Sequence, residues 1–405
     1  MSMRSALSFD LASSQKPPMI TVDEVEEKLS HLRAVLERRG FTGILLSREG
    51  PIRWLTGTRH QIIDIAPDAE SPVQALVRLL PGAVALTFLT ARTEMPRVRD
   101  QLPEIFRDVA RVSMDFQESL PATSSGVLLP GRPGYDEALM EIIRPLLGGR
   151  EGNQLRKLEW LHAMTTAVLT ETALQLKVGM NGAEVRGMVF SGLAFRDVES
   201  NLIMVALTGQ EKHFHPIYNS RYRTERGSWV KLVTGTRYAE LIVSVTAMAK
   251  IAASPTKEEA RVYAALQQGS VEYADLYRNG MSESDIYTKV GERFMRIESE
   301  TGIKGFHPSA YFHHMGGPSS PLGNRDYLLQ AGGSRRMFPW MQFAINPCDV
   351  LKYTKVELQG LVMPENAPLM LDGSRLIPKD LGLFTEIRSE GGTVASVANV
   401  IEVAG

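Results

Sequence analysis

Apolar residues recur at helical spacing through Val25, Leu29, Leu32 and Leu36, and Thr21 stands three residues before Glu24 at the head of that run. This capping-box pair and apolar stripe predict an amphipathic helix, which Gly40 stops. Beyond it the apolar runs are shorter. Residues 43–46, 52–55, 83–89 and 127–129 are expected as strands, and residues 71–80 and 135–147 as helices. Strands alternating with helices predict an α/β domain over residues 1–150. The stretch Gly148, Gly149, Arg150, Glu151, Gly152, Asn153 reads as its linker to a second domain over residues 151–405.

In the second half, a long helix rich in Leu, Ala, Met and Glu is expected over residues 155–177, ended by Gly179. Strands are expected over 229–233, 241–245, 341–345 and 357–363, with helices near 258–279 and 284–301. This order predicts an α+β unit rather than a doubly wound one. A weak repeat runs through it. One long helix leads into Gly179-Met180 and the next opens at Glu184-Val185; a second leads into Gly280-Met281 and its successor opens at Asp285-Ile286. Glycine is also the ordinary stop signal of a helix, which explains part of the match without a repeat.

The composition is that of an ordinary globular chain: 405 residues, 43% hydrophobic, with a formal net charge of −1. A core of this size needs neither metals nor disulfides to fold. Near neutrality removes the long-range field that a general nucleic-acid binder or a membrane-surface protein would use, so the expected ligand is a small molecule. Cys348 is the only cysteine, which excludes an intrachain disulfide and a thiolate metal cluster. No apolar run is long enough for a signal peptide or a membrane span, and a cytoplasmic protein is expected.

His-Glu-x-x-His, Gly-x-Ser-x-Gly, P-loop, Cys-x-x-Cys and glycine-rich dinucleotide motifs are all missing. Histidines instead draw attention, because His213, His215, His307, His313 and His314 fall within about a quarter of the chain. Histidine is the natural acid and base near neutral pH, although a single histidine more often caps, packs or faces solvent.

Two stretches carry a family resemblance. Gly40-Phe41-Thr42-Gly43-Ile44-Leu45-Leu46 and Ile52-Arg53-Trp54-Leu55-Thr56-Gly57 resemble the N-terminal domain of the creatinase/aminopeptidase P/prolidase group, and the second half resembles that group's pita-bread domain. The resemblance implies a pita-bread α+β fold behind a smaller α/β domain, and a homodimer. The peptidases of the group hold two metal ions through five side chains. Those positions fall here on Val233 (before Thr234-Gly235), Ser244, His313, Asn346 (before Pro347) and Glu357. Three of four carboxylates are thereby replaced. One histidine and one glutamate cannot offset the dehydration of two divalent ions, so no metal and no cofactor are expected.

Creatinase, and by resemblance ectoine hydrolase, are metal-free members of the group. The segment from Leu207 to Pro216 resembles the creatinase segment in which a histidine shortly before proline acts as acid and base. His215, directly before Pro216, is the first choice, and a one-residue length difference keeps His213 open. Arg325, in Gly323-Asn324-Arg325-Asp326, falls where creatinase grips the substrate carboxylate; pairing with Asp326 in a surface turn is the plain alternative. Glu357 and His313 would orient the cationic or amide end, and Asn346 would donate to an oxyanion or hold a strand. A loop of the group that crosses to the neighbouring subunit makes Arg59 and His60 substrate contacts. The creatinase glutamates fall near Thr246 and on Asn346, so creatine itself is not the expected substrate. Lys231 and Glu240 are expected as a pair replacing the ions. Trp340 stands where the group has a turn glycine; packing is the first explanation and a narrowed pocket the alternative.

The resulting expectation is metal-independent hydrolysis of a C–N bond in an amidine, guanidine or amide bearing a carboxylate. The alternatives are an Xaa-Pro-type peptidase and a non-catalytic binding protein on the same scaffold.

Overall fold

The computed structural model describes residues 17–59, 70–90, 95–106, 110–113, 125–143, 145, 147–210, 221–239, 241–276, 280–302, 313–314, 327–328, 336, 339–340, 342–345, 358–362 and 382–403. The opening helix, α1 (Val22–Arg38), forms where expected, with Thr21 accepting the Glu24 amide at 3.3 Å as its N-cap. Only half of the expected capping box is made in that way. The Glu24 carboxylate turns instead to Lys28, Lys157 and Asn153.

After α1 come β1 (Gly43–Arg48), α2 (Glu49–Thr56), β2 (Glu70–Leu80), β3 (Ala83–Thr90), α3 (Met95–Gln101), β4 (Ala110–Ser113), β5 (Val127–Leu128) and α4 (Tyr135–Ile143). The strands form one mixed sheet in the order β4-β3-β2-β1-β5. Two expectations are corrected. Residues 71–80 are not a helix but most of β2, hydrogen-bonded on one edge to β1 and on the other to β3 across the Pro81-Gly82 turn. A central strand between two partners satisfies every backbone group, and that tertiary gain outweighs the local pattern. Residues 52–55 are not a strand but the second half of α2, whose every residue is buried. A short run buried all round has no periodicity to separate helix from strand. Here Pro51 in the first turn and left-handed Gly57 at the C-cap fix the helix.

The second half opens on α5 (Asn153–Leu174), followed by α6 (Gly182–Ala194), β6 (Glu199–Ala206), β7 (Trp229–Tyr238), β8 (Leu241–Ile251), α7 (Lys257–Ala274) and α8 (Glu283–Thr301). Then come β9 (His313–His314), β10 (Tyr327–Leu328), β11 (Gln342–Ile345), β12 (Leu358–Val362), β13 (Phe384–Arg388), β14 (Val394–Ala398) and β15 (Ile401–Val403). The hairpin strands β7 and β8 run five and six residues beyond their expected ends. They lie in the sheet β15-β8-β7-β6, closed on one side by a parallel pairing of β15 with β8, and a second sheet runs β10-β9-β11-β12. β12 lies against β8.

The repeat read from the sequence has a physical counterpart. Gly179 and Gly280 are both left-handed, two residues before N-caps Asn181 and Ser282 that each form a full capping box. Asn181 bridges to Arg223 and Ser282 to Arg336. Each arginine then donates to the glycine carbonyl of its own half, Arg223 to Gly179 at 2.8 Å and Arg336 to Gly280 at 3.2 Å.

Buried charge ties α1 to α5. Lys28 and Lys157 both reach the Glu24 carboxylate, at 2.6 and 2.7 Å, and all three are withdrawn from solvent. Lys28 also donates to the Trp54 carbonyl and lies over its ring. Trp340 adopts φ +64°, the left-handed backbone that a glycine takes without strain, and its ring packs on Gly149 and the α5 core. Packing therefore accounts for this aromatic.

Candidate functional site

The β7–β8 hairpin is buried on both faces, and the two faces differ in chemistry. Alternation places Val230, Leu232, Val243, Val245, Ala247 and Ala249 on the face that joins the α5 core. The other face carries Lys231, Val233, Gly235 and Arg237 from β7 and Ser244, Thr246 and Met248 from β8. In register, Lys231 lies opposite Met248, Val233 opposite Thr246 and Gly235 opposite Ser244. On the other flank of β7, Met204 stands beside Val233 and Glu199 beside Arg237. Lys231, Val233, Thr246 and Arg237 are all buried.

Val233 and Ser244 thus share one face of adjacent strands, one residue pair apart. That is the geometry two metal-bridging carboxylates would need, but the donors are wrong. Valine supplies no donor atom and serine one neutral hydroxyl, while Lys231 and Arg237 bring positive charge to the same face. Divalent ions are held by anionic oxygens, so these residues do not fit a bridged metal pair. Among the described residues no group of three or more His, Cys, Asp or Glu converges.

The far end of this face meets α2, the helix beside the first sheet. Arg53 of α2 donates from Nε to Glu49 and from Nη1 to Glu199 of β6, both at 2.9 Å. The second oxygen of Glu49 accepts from Ser71 at 2.9 Å. The second oxygen of Glu199 lies 3.8 Å from Nη1 of Arg59. Arg237 completes the group. Burial pushes its guanidinium down to about 10; the nearby Arg53 lowers it further and Glu199 opposes the shift. At the opposite end, Lys250 pairs with Glu259 at 2.8 Å and lies over the Trp229 ring.

Of the residues singled out from the sequence, Val233, Ser244 and Arg59 are placed as above. His313 forms part of β9, its backbone paired with Leu328 on one side and Ala344 on the other. Asn346 follows the last residue of β11 and Glu357 precedes the first of β12, and the pairing of Ile345 with Leu358 joins those two strands. His213, His215, His60, Arg325, Asn346 and Glu357 themselves lie outside the described residues, as does Glu240. Sequence reasoning missed Arg53, Glu199 and Arg237. The period-two run Lys231, Val233, Gly235, Arg237 was the signal for the last of these, since all four must share a face.

The sequence pattern of metallopeptidase family M24 matches residues 156–376, more than half of the chain. The chain belongs to metallopeptidase family M24. Among solved structures, this M24 protein is similar to an X-Pro aminopeptidase from Thermotoga maritima MSB8 (TM-score 0.60, 12% identity, 83% of this chain and 96% of that one). It is also similar to the prolidase from Pyrococcus horikoshii OT3 (0.57, 12%, 84% and 96%). A dipeptidase from Mycobacterium ulcerans gives 0.54 at 15% identity, over 95% of this chain and 99% of that one. No curated protein matches the sequence. The M24 protein therefore has the mixed α+β pita-bread fold, in a family of hydrolases. No helix among its described residues is long and apolar enough to cross a membrane.

Proposed function

We propose that this M24 protein hydrolyses a non-peptide C–N bond, in an amidine, guanidine or amide of a small carboxylate-bearing compound, without a bridged metal pair. The observation that carries this reading is the site face of the β7–β8 hairpin. Val233, Ser244 and Thr246 stand there with Lys231 and Arg237, so the polar chemistry is retained while the anionic donors are not. An abandoned site would not keep two buried cations, each of which costs solvation free energy.

In the proposed reaction His215, or His213 in its place, takes a proton from water as the water oxygen bonds to the carbon. The histidine then returns that proton to the departing nitrogen as the C–N bond breaks. Arg325 holds the substrate carboxylate, and Glu357 and His313 orient its nitrogen-bearing end. Asn346 donates to the developing oxyanion, and His60 and Arg59 close the site, with a second copy of the chain completing a homodimer. The reading includes a cytoplasmic location, no nucleic-acid partner, and a division into residues 1–150 and 151–405.

The Xaa-Pro peptidases among the similar structures favour a second reading, peptide hydrolysis. Metal analysis with turnover separates the two. The proposal expects hydrolysis of an N-carbamoyl, amidino or N-acyl amino acid that persists after exhaustive chelation and is lost in both His215→Ala and His213→Ala or in one of them. Chelator-sensitive cleavage of Xaa-Pro dipeptides would replace it with the second reading. Full activity in both histidine variants would refute the mechanism.

A further inference from the structure

We infer that the outward face of α6 is a self-association surface, on which a second copy of this chain packs antiparallel through its own α6. The inference is independent of the proposed function, whose homodimer turns on Arg59 and His60, outside α6.

Exposure comes first. On its inner side α6 buries Val185, Val189 and Leu193 in the α5 core. Its opposite side exposes Ala183, Gly187, Phe190, Ser191 and Ala194, and continues into the C-cap Phe195. Phe190 is 53% exposed and Phe195 92%. Glu184 is the sole charged residue at an exposed position of α6, and its carboxylate is turned back to accept the Asn181 amide at 2.7 Å. A helix apolar on both sides is normally enclosed. The repeat supplies a comparison within the molecule. Counted from the caps Asn181 and Ser282, the counterparts of Ser191 and Phe195 on α8 are Glu292 and Arg296, both exposed, and Arg296 pairs with Glu300 and Glu390. The same place in the scaffold thus carries solvated charge in one half and bare aromatic surface in the other.

Shape is the second argument. Ala183, Gly187 and Ser191 follow one another at four-residue intervals and form a shallow groove along the helix, in which a Cβ added to Gly187 would meet nothing within 4 Å. Helical spacing sets Phe190 on one flank of that groove and Phe195 on the other. A face holding both knob and hole is complementary to itself about a two-fold axis. In the antiparallel register, Phe195 of one copy seats over Ala183 of the other while Ser191 meets Gly187, and the small residues let the two helix axes approach to about 8 Å.

Charge and area agree with a second copy as the occupant. Exposed Lys177 precedes α6 and adds to the positive end of its dipole, while exposed Asp197 follows it at the negative end. Antiparallel contact therefore brings unlike ends together on both sides of the axis. With about 200 Å² of surface per phenylalanine, the two rings expose about 300 Å² per copy, and the small residues bring the face to roughly 450 Å². Two copies would bury about 900 Å², at the low end for a specific and reversible pair. Association in the micromolar range is the expected consequence.

Sedimentation velocity of the full chain from about 1 μM to 1 mM tests this. The weight-average mass is expected to rise twofold with concentration. A chain carrying both Phe190→Ser and Phe195→Ser should need at least about tenfold more protein to reach the same midpoint. Gly187→Leu should do likewise by filling the groove, and it favours the helix, so it decides the matter if the double variant does not fold. Met295→Ser, which removes an exposed apolar side chain from α8, should leave the midpoint where it is. Sedimentation that is the same in the native chain and in both α6 variants would overturn the inference. Association lost in Arg59→Ala and untouched by the α6 variants would also overturn it, while leaving the homodimer of the proposed function standing.

Discussion

Val233 lies directly across the β7–β8 hairpin from Thr246, on the face turned away from α5. Neither side chain carries charge, and the basic residues Lys231 and Arg237 stand on the same face. Protein purified from metal-supplemented medium is therefore expected to hold far less than one equivalent of manganese, cobalt, zinc or iron after dialysis. Elemental analysis giving two tightly held ions per chain would contradict the donor chemistry argued for this face.

The Glu24 carboxyl provides a pH signature. Burial pushes it up, but Lys28 and Lys157 outweigh that and hold it at about 2, against an ordinary 4.5. A carboxyl depressed in the folded state stabilises the fold above its unfolded value and loses that contribution as pH falls from about 4.5 toward 2. The loss is on the order of a few kcal/mol. Denaturant unfolding at a series of pH values should show it, and Glu24→Gln should be less stable at pH 7 and flatter across the acid range.

Arg53 serves two carboxylates, one of them fully buried. Arg53→Ala removes the ion pair that Arg53 makes with buried Glu49 at 2.9 Å and is expected to cost about 3–5 kcal/mol. Adding Glu49→Gln should recover part of that cost, which a double-mutant cycle in urea would read as positive coupling.

The paired caps provide an additivity test. Asn181→Ala and Ser282→Ala each remove a capping box and should each cost about 1 kcal/mol. The caps begin separate helices, so the double variant should lose about the sum of the two. A strongly non-additive result would mean that the two halves melt as coupled units.

Gly149 has φ +56°, and a Cβ there would lie 3.1 Å from the Trp340 ring. Gly149→Ala should destabilise by about 1–3 kcal/mol through backbone strain and crowding. In a Trp340→Gly background the crowding part should vanish while the backbone part remains. Thermal unfolding of the single and double variants separates them.

Much of this architecture is legible from one sequence because some residues have few alternatives. The stripe from Val25 to Leu36, the left-handed glycines at 179 and 280, and the caps that follow them all specify local structure with local chemistry. The sequence pattern understates the lengths of β7 and β8 because their later residues, Thr236, Arg237 and Lys250, are polar yet buried. Their burial depends on partners from distant parts of the chain, such as Glu259 for Lys250. β2 and α2 were exchanged for a related reason, since a strand between two neighbours and a helix enclosed on all sides are decided by what surrounds them. At the site, the family pattern located Val233 and Ser244 on one face. It is silent about Arg53, Glu199 and Arg237, whose association joins residues as far apart as positions 53 and 237.

The pairing of β15 with β8 has a bearing on how the protein is made. Residues 249–251 are held against 401–403, so this edge of the hairpin's sheet waits for about 150 further residues to leave the ribosome. During that interval the outer edge of β8 lacks this neighbour, and its free amides and carbonyls invite pairing with another nascent chain. Closing so long a loop is also slow. Yield in a heterologous host should accordingly depend on synthesis rate and chaperone supply more than on the stability of the finished fold.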